Sequence, residues 1–326
     1  MSESASASIE PAELQRLDAL LERFELTRYR EIILAQAAPC IAMALDDPPE
    51  PRPEVWPQPP VGASLIGGAP DLPPSWSWPM RDGLRAGFFL QIALADVPRT
   101  PWNPLPAHGM LYLFCFTDSA AFWDPPGWQL LHWDGPLDAL KRTMPPPTPL
   151  NDEIIENEFF FTPDARRLKL RAGTDCPPGS QADWDFVNAL DRLGREHGDD
   201  RLLDRYFAFA ERAADPELEA DLAKGHGPFF YPVGRLFGHT DRSIRRDLAM
   251  NDQGLTERFT DYAWRLEHAA ELDAAGAAWR QVFRLESNPA TGYTSPSDAA
   301  PVYVMAKDPG TRPWVPTGSV PGLASK

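Results

Sequence analysis

Six histidines, His108, His132, His197, His226, His239 and His268, are the side chains of this chain best suited to proton transfer or metal binding. None stands in an HExxH or HxH pattern, and no two have the spacing of a metal-ligand pair. No GxSxG turn is present to raise a serine nucleophile. His239, beside Gly238, is the best lone candidate. One titratable group without an orienting partner is not a mechanism, which favours a structural, hydrogen-bonded role. Asp96 and Asp134 could act as a glycosidase-like carboxylate pair, but nothing in the sequence brings them together. Cys40, Cys115 and Cys176 are odd in number and far apart, so they make neither a disulfide framework nor a CxxC site. Cys115, inside an apolar run, reads as a small core residue. No catalytic residue, metal site or cofactor is assigned, and the expectation is a protein that is not an enzyme.

Residues suited to binding are easier to find. Trp123, Trp128 and Trp133 fall within eleven residues, with Asp118, Asp124 and Asp134 beside them. Such indoles complete a core under a hairpin, anchor an interface or stack on a sugar, and the sequence leaves all three open. Further on, the run NDEIIENEFFF carries Asp152, Glu153, Glu156 and Glu158 without a base among them. Between residues 101 and 160 there are eight acidic residues and two basic ones, Lys141 and Arg142. An acidic run of this kind is a solvated face or a contact for a basic partner. Asp118, Trp123, Asp124, Trp128, Asp152, Glu153, Glu156 and Glu158 are therefore the candidate partner-binding residues. Arg166–Arg171 (RRLKLR) alternates as a strand with its charges outward, able to pair with the acids before it.

The whole chain repeats this bias. Its net charge is −16 over 326 residues, which argues against direct nucleic-acid binding and fits a basic protein partner. Unpaired cysteines make a reducing cytoplasm the expected location. Residues 1–8 lack the basic and apolar parts of a signal peptide, and no apolar run reaches the roughly 20 residues of a membrane helix.

The elements that must position these residues centre on Val61–Phe116. Gly67 and Gly68 permit backbone angles that other residues resist, and Pro70, Pro73, Pro74 and Pro79 exclude a helix or central strand from 69 to 79. Two apolar runs follow, GFFLQIALADVP and GMLYLFCF, short and aromatic, which favours strands. The second is apolar on both faces and should be a central strand. Leu14, Leu17, Leu20, Leu21 and Phe24 predict a helix after Pro11, with a second helix ending before Pro39. Asp46–Pro60 is a proline-rich connector. Asp183–Lys224 predicts two amphipathic helices, and Thr256–Trp279 another. The expected fold class is α+β: two related β-rich halves with N-terminal and inserted helices. The boundaries are a disordered tail at 1–9, N-terminal helices and connector at 10–60, a first half at 61–180, a helical insertion at 181–226 and a second half at 227–326. In the second half, Val233–Gly238 matches Val61–Gly67, Val282–Leu285 matches Phe89–Ile92, and Ala300–Lys307 matches Gly109–Phe116. The proline- and glycine-containing tail from Pro309 is expected to end as a surface strap.

The segments SLIGGAPDLPP, WP, FLQIAL and GMLYLF, in this order, resemble the YwqG-like family of bacterial domains. Leu236–His239 and Trp279–Leu285 resemble it more weakly. The family's QGD segment and WGDxG turn are replaced here by Arg242–Asp247 and Pro296–Ala299. Some YwqG-like members look like immunity factors for secreted bacterial toxins, nucleases among them. That resemblance implies a cytoplasmic immunity protein that neutralises a basic, nuclease-like toxin. The alternative is a hydrolase or carbohydrate-binding protein using the Trp-rich loop 122–133.

Overall fold

Alternating apolar side chains, with bulky residues on both faces, make strands of the two central runs, β6 (Gly87–Ala93) and β7 (Met110–Cys115). A computed structural model of the chain describes residues 9–46, 57–116, 127–147, 164–177, 184–223, 233–240, 242–286, 301–310, 314, 316, 318–320 and 322–324. Around β6 and β7 it builds a sheet that also contains β1 (Ala38–Leu45), β2 (Leu65–Ile66), β8 (Trp128–Trp133), β10 (Arg166–Asp175), β11 (Gly234–Phe237), β12 (Trp279–Leu285), β13 (Val302–Lys307), β14 (Gly318–Val320) and β15 (Gly322–Ala324). Two small ladders lie outside it, β3 (Asp71–Leu72) with β9 (Lys141–Arg142), and β4 (Met80–Arg81) with β5 (Leu84–Arg85). The order in the large sheet is β14-β8-β7-β6-β2-β10-β1-β11-β12-β13-β15, with every pairing antiparallel. Only Pro321 separates β14 from β15 in the sequence, and these two strands pair with opposite ends of the sheet. The tail thus bridges β8 and β13, and the sheet curls into a nearly closed barrel.

Side chains from all nine longer and inner strands meet in the barrel interior, among them Ile41, Phe89, Trp128, Leu168, Phe283 and Val304. This interior is a packed core, closed at one end by Phe237 with Trp102 and Trp314 stacked edge-on or tilted against it at 6.5 and 6.3 Å.

Strand order shows a duplication. The successions β2-β6-β7-β8 and β11-β12-β13-β15 repeat the same antiparallel pairings on either side of the central pair β10-β1. Register repeats as well. Ile66 faces Leu90 and Leu236 faces Phe283, the ladders slip at Phe89 and at Val282, and Tyr112 opposes Gln91 as Tyr303 opposes Arg284. Both copies turn through two left-handed residues, Gly67 and Gly68 in one and Phe237 and Gly238 in the other. The equivalence of Phe89–Ile92 with Val282–Leu285 expected from sequence is the one the registers give. Each copy lends its first strand across the centre: β1 lies between β10 and β11, and β10 between β1 and β2.

Three outer layers cover the barrel. α1 (Pro11–Arg23), α2 (Arg30–Leu34), α3 (Trp184–His197) and α4 (Leu202–Ala214) form one apolar cluster against the backs of β1 and β10, followed by the short α5 (Leu218–Ala223). The proline-rich segment after Gly68 covers the outer face of β6 and β7 with Leu72, Trp76 and Trp78. In the second copy that place is taken by α6 (Arg242–Asp252), whose Ile244 and Leu248 sit on Tyr303 and Met305, and by α7 (Tyr262–Glu267) and α8 (Ala269–Gly276).

Four expectations change. The segment read as N-terminal helices and connector contains a central strand, β1, hidden because APCIAMAL is alanine-rich and carries little β signal. Among the described residues the helical insertion has three helices, and the helix expected over 256–279 is broken into a 3₁₀ turn, α7 and α8. The break has a local cause, since the Asp261 carboxylate accepts the Trp264 N–H and caps a new start. Finally, Arg167 and Lys169 of β10 are outward as expected, but Arg171 on the same side is buried under the helical layer, and Arg166 is buried as well.

Candidate functional site

Of the eight residues singled out for partner binding, Trp128 is the one within the described structure. It lies on β8 and points into the barrel, fully buried, with its ring edge-on to Phe89 at 5.4 Å. Its expected role as an interface anchor is corrected: an indole with no exposed surface is core. Asp118, Trp123, Asp124, Asp152, Glu153, Glu156 and Glu158 lie outside the described residues. Trp133 is half-buried on the outer face of the same strand, edge-on to Trp76 at 6.1 Å. Asp134 and Asp138, which follow it, are exposed. Opposite parity on one strand thus sends Trp128 inward and Trp133 outward, a split that counting aromatics along the sequence does not reveal.

The lone candidates for chemistry are held in structural contacts. The His239 backbone N–H donates to Asp175 Oδ2 (3.0 Å), and its ring Nδ1 is 3.1 Å from the Gln36 carbonyl. The Asp96 carboxylate accepts the Ser64 hydroxyl at 2.8 Å, on the β2 side of β6. Asp134 follows β8, with β7 between the two strands. His132 is part-buried on β8, and burial lowers its pKa while Asp134 opposes that shift. Cys40, Cys115 and Cys176 are free and buried. Burial, with Asp175 nearby, pushes the Cys40 and Cys176 thiols up, which makes them poor nucleophiles. Among the described residues no group of three His, Cys, Asp or Glu side chains is placed to hold a metal ion.

Two buried carboxylates organise the polar structure, and sequence reasoning passed over both as sites. Asp71 follows the Gly67–Gly68 turn. Its carboxylate accepts from the Gly62 N–H (2.9 Å), Gln91 Nε2 (2.8 Å) and Arg142 Nε (2.6 Å). Its own N–H donates to Gln91 Oε1 (2.7 Å), and its carbonyl accepts the Tyr112 hydroxyl (2.6 Å). This network pins the proline-rich segment onto the outer face of β6 and β7. The GGAPD spacing was the available signal, read only as a turn.

Asp175, at the end of β10, is fully buried and faces two buried guanidiniums. Arg235 donates to its Oδ1, and Arg284 Nη1 lies 3.5 Å from the same oxygen. Arg284 Nη2 also pairs with Glu286 at 2.7 Å. Burial alone would lower the Arg284 pKa; Glu286, Tyr303 and Asp175 outweigh it and raise it. Arg284 stands where the first copy has Gln91, so the repeated position holds an amide in one copy and a cation in the other. A second pair links layers: Arg171 Nη1 reaches both oxygens of Asp215 (3.1 and 3.0 Å), and Nη2 lies 3.0 Å from Glu217. Asp215 caps the C-terminus of α4. Asp71, Asp175 and Asp215 each accept from at least two fixed donors, an arrangement that positions the loops around them.

A surface cavity of about 270 Å³ opens at one barrel mouth, between Glu10, Glu13, Pro39, Thr100, Trp102 and Thr174. The Glu13 carboxylate there is occupied by Arg16 (2.8 and 2.6 Å) and the Thr174 hydroxyl (2.6 Å). On α7, Tyr262 and Leu266 are each 79% exposed.

A family model described as "Domain of unknown function (DUF1963)" matches residues 64–292, a span that starts at β2 and runs past β12 and so takes in strands of both copies. Among curated proteins none matches the chain.

Proposed function

The chain belongs to the DUF1963 family. We propose that it is a protein-binding protein, an immunity factor of the YwqG-like kind that neutralises a basic, nuclease-like bacterial toxin in the cytoplasm. The observation that carries the reading is the combination of a filled barrel with an acidic chain. Phe89, Trp128 and Phe283 occupy the interior, so a ligand must be met on the outside, and the net charge of −16 favours a cationic one. An acidic inhibitor attracts a basic enzyme over long range, which raises the association rate and is screened by salt. The sequence similarity of Ser64–Pro74 and the strands after it to YwqG-like domains supports the immunity role.

The contact is assigned to the acidic stretch Asp118–Glu158, with Trp123 in place of Trp128 as its aromatic anchor. Reversing Asp152, Glu153, Glu156 and Glu158 to Lys should slow association at low salt and leave the melting temperature nearly unchanged. Trp123→Ala should instead speed dissociation. The partner for these measurements is whatever basic protein is captured in stoichiometric amount from the native cell. Unchanged rates for the fourfold reversal would remove this surface. Saturable glycan binding by the purified chain would favour the carbohydrate reading of loop 122–133.

A further inference from the structure

We infer that β14 and β15 are displaceable closing strands, and that the seam they fill takes an extended polypeptide segment of a partner by strand addition. The inference goes beyond the proposed function: it rests on sheet topology and holds whatever the partner's charge. β14 and β15 are the stave that joins the two ends of the barrel sheet, β14 against β8 and β15 against β13. Each side is held by three residue pairs, whereas β1 and β10 share eight. The stave's sequence, GSVPGLA, is poor in strand formers, and Pro321 brings no N–H to a ladder. Trp314 marks the point where peeling stops. Its N–H donates to the Pro104 carbonyl (2.9 Å) and its buried ring lies on Phe237.

The edges beneath are the opposite in character. β8 reads WQLLHW and β13 reads VYVMAK, rich in residues that favour strands. Trp128 and Leu130 on one side of the seam, and Val302 and Val304 on the other, face the apolar interior. An incoming strand therefore meets two rows of backbone donors and acceptors and an interior that accepts an apolar side chain at every second position. A partner segment of about seven residues with that alternation and no proline would fit the seam better than the resident one.

The test uses the full chain. Gln129 and Ser319 are directly opposed, so Gln129→Cys with Ser319→Cys gives a disulfide that locks the stave; the three native cysteines are buried. The probe is a labelled peptide with the sequence of residues 314–324 carrying Gly318→Thr, Pro321→Thr and Gly322→Thr. Saturable binding to the unlocked protein, at least tenfold weaker after oxidation of the lock and restored by reduction, is the expected result. Hydrogen exchange on the unmodified chain gives a second readout: amides of 318–324 should exchange at least a hundredfold faster than those of β1 and β10. Equal binding to locked and reduced protein, no binding to either, or protection of 318–324 equal to that of β1 would each overturn the inference. Concentration-dependent dimers abolished by the lock would assign the seam to a second copy and overturn the partner reading.

Discussion

At the scale of single residues, the buried carboxylates decide more than their number suggests. Asp175 faces Arg235 and Arg284, and all three are buried. Removing one member of such a group leaves uncompensated buried charge, which costs about 3–5 kcal/mol. Asp175→Ala should lower unfolding stability in urea by that amount. Glu219 is the contrasting case. It is hydrogen-bonded by Arg23 and Arg212, which hold its carboxyl down to about 2. Its folded pKa lies below the unfolded value of about 4.3, so its contribution is complete above that value and is lost as pH falls through about 2. The side chain is 42% exposed, and solvent screening keeps the contribution below about 1 kcal/mol. Glu219→Gln should therefore show a small stability loss at pH 7 that disappears near pH 2, measured by chemical denaturation across that range.

Close approach and turn geometry set the limits at the scale of elements. Gly173 of β10 lies under the C-terminus of α4, where a Cβ would sit 2.1 Å from the Ala214 carbonyl oxygen. The obstacle is backbone, and Arg16 holds it in place by donating to the Arg212 and Ala213 carbonyls (3.0 and 2.7 Å). Gly173→Ala should destabilise by about 2–3 kcal/mol, seen as a lower urea midpoint. Phe237 shows the opposite compromise. It holds a left-handed backbone, φ 58°, at the position where the first copy uses Gly67. That conformation costs a non-glycine residue about 1–2 kcal/mol, while a large buried aromatic side chain contributes about 3–5. Packing wins, and Phe237→Gly should lower stability by roughly 2 kcal/mol despite relieving the strain. Where the first copy has a turn glycine, the second has a plug of the barrel.

The exchange of first strands governs the behaviour of the whole molecule. Because β1 is enclosed by β10 and β11, and β10 by β1 and β2, neither copy owns a complete sheet. One apolar interior draws on both. Unfolding should be a single calorimetric transition, and fragments 1–163 and 164–326 should each lack a folded circular-dichroism spectrum alone but regain it when mixed. Independent folding of either fragment would contradict the shared core.

The sequence by itself determined the fold class, the strands β6, β7, β10, β12 and β13, and the correspondence of 89–92 with 282–285 and of the strands after them. These follow from local patterns: alternation, turn residues and proline positions, each legible over a few neighbours. It also determined the acidic character on which the functional proposal rests. Tertiary structure alone decided that APCIAMAL is a central strand, since its pairing partners lie more than a hundred residues away in sequence and local propensity is silent there. It alone decided that Trp128 is core and Trp133 is not, because parity has meaning only once one face of β8 is enclosed. Asp71, Asp175, Arg235 and Arg284 became visible as networks only when distant segments met, for a charge in a sequence carries no mark of whether it will be solvated or paired.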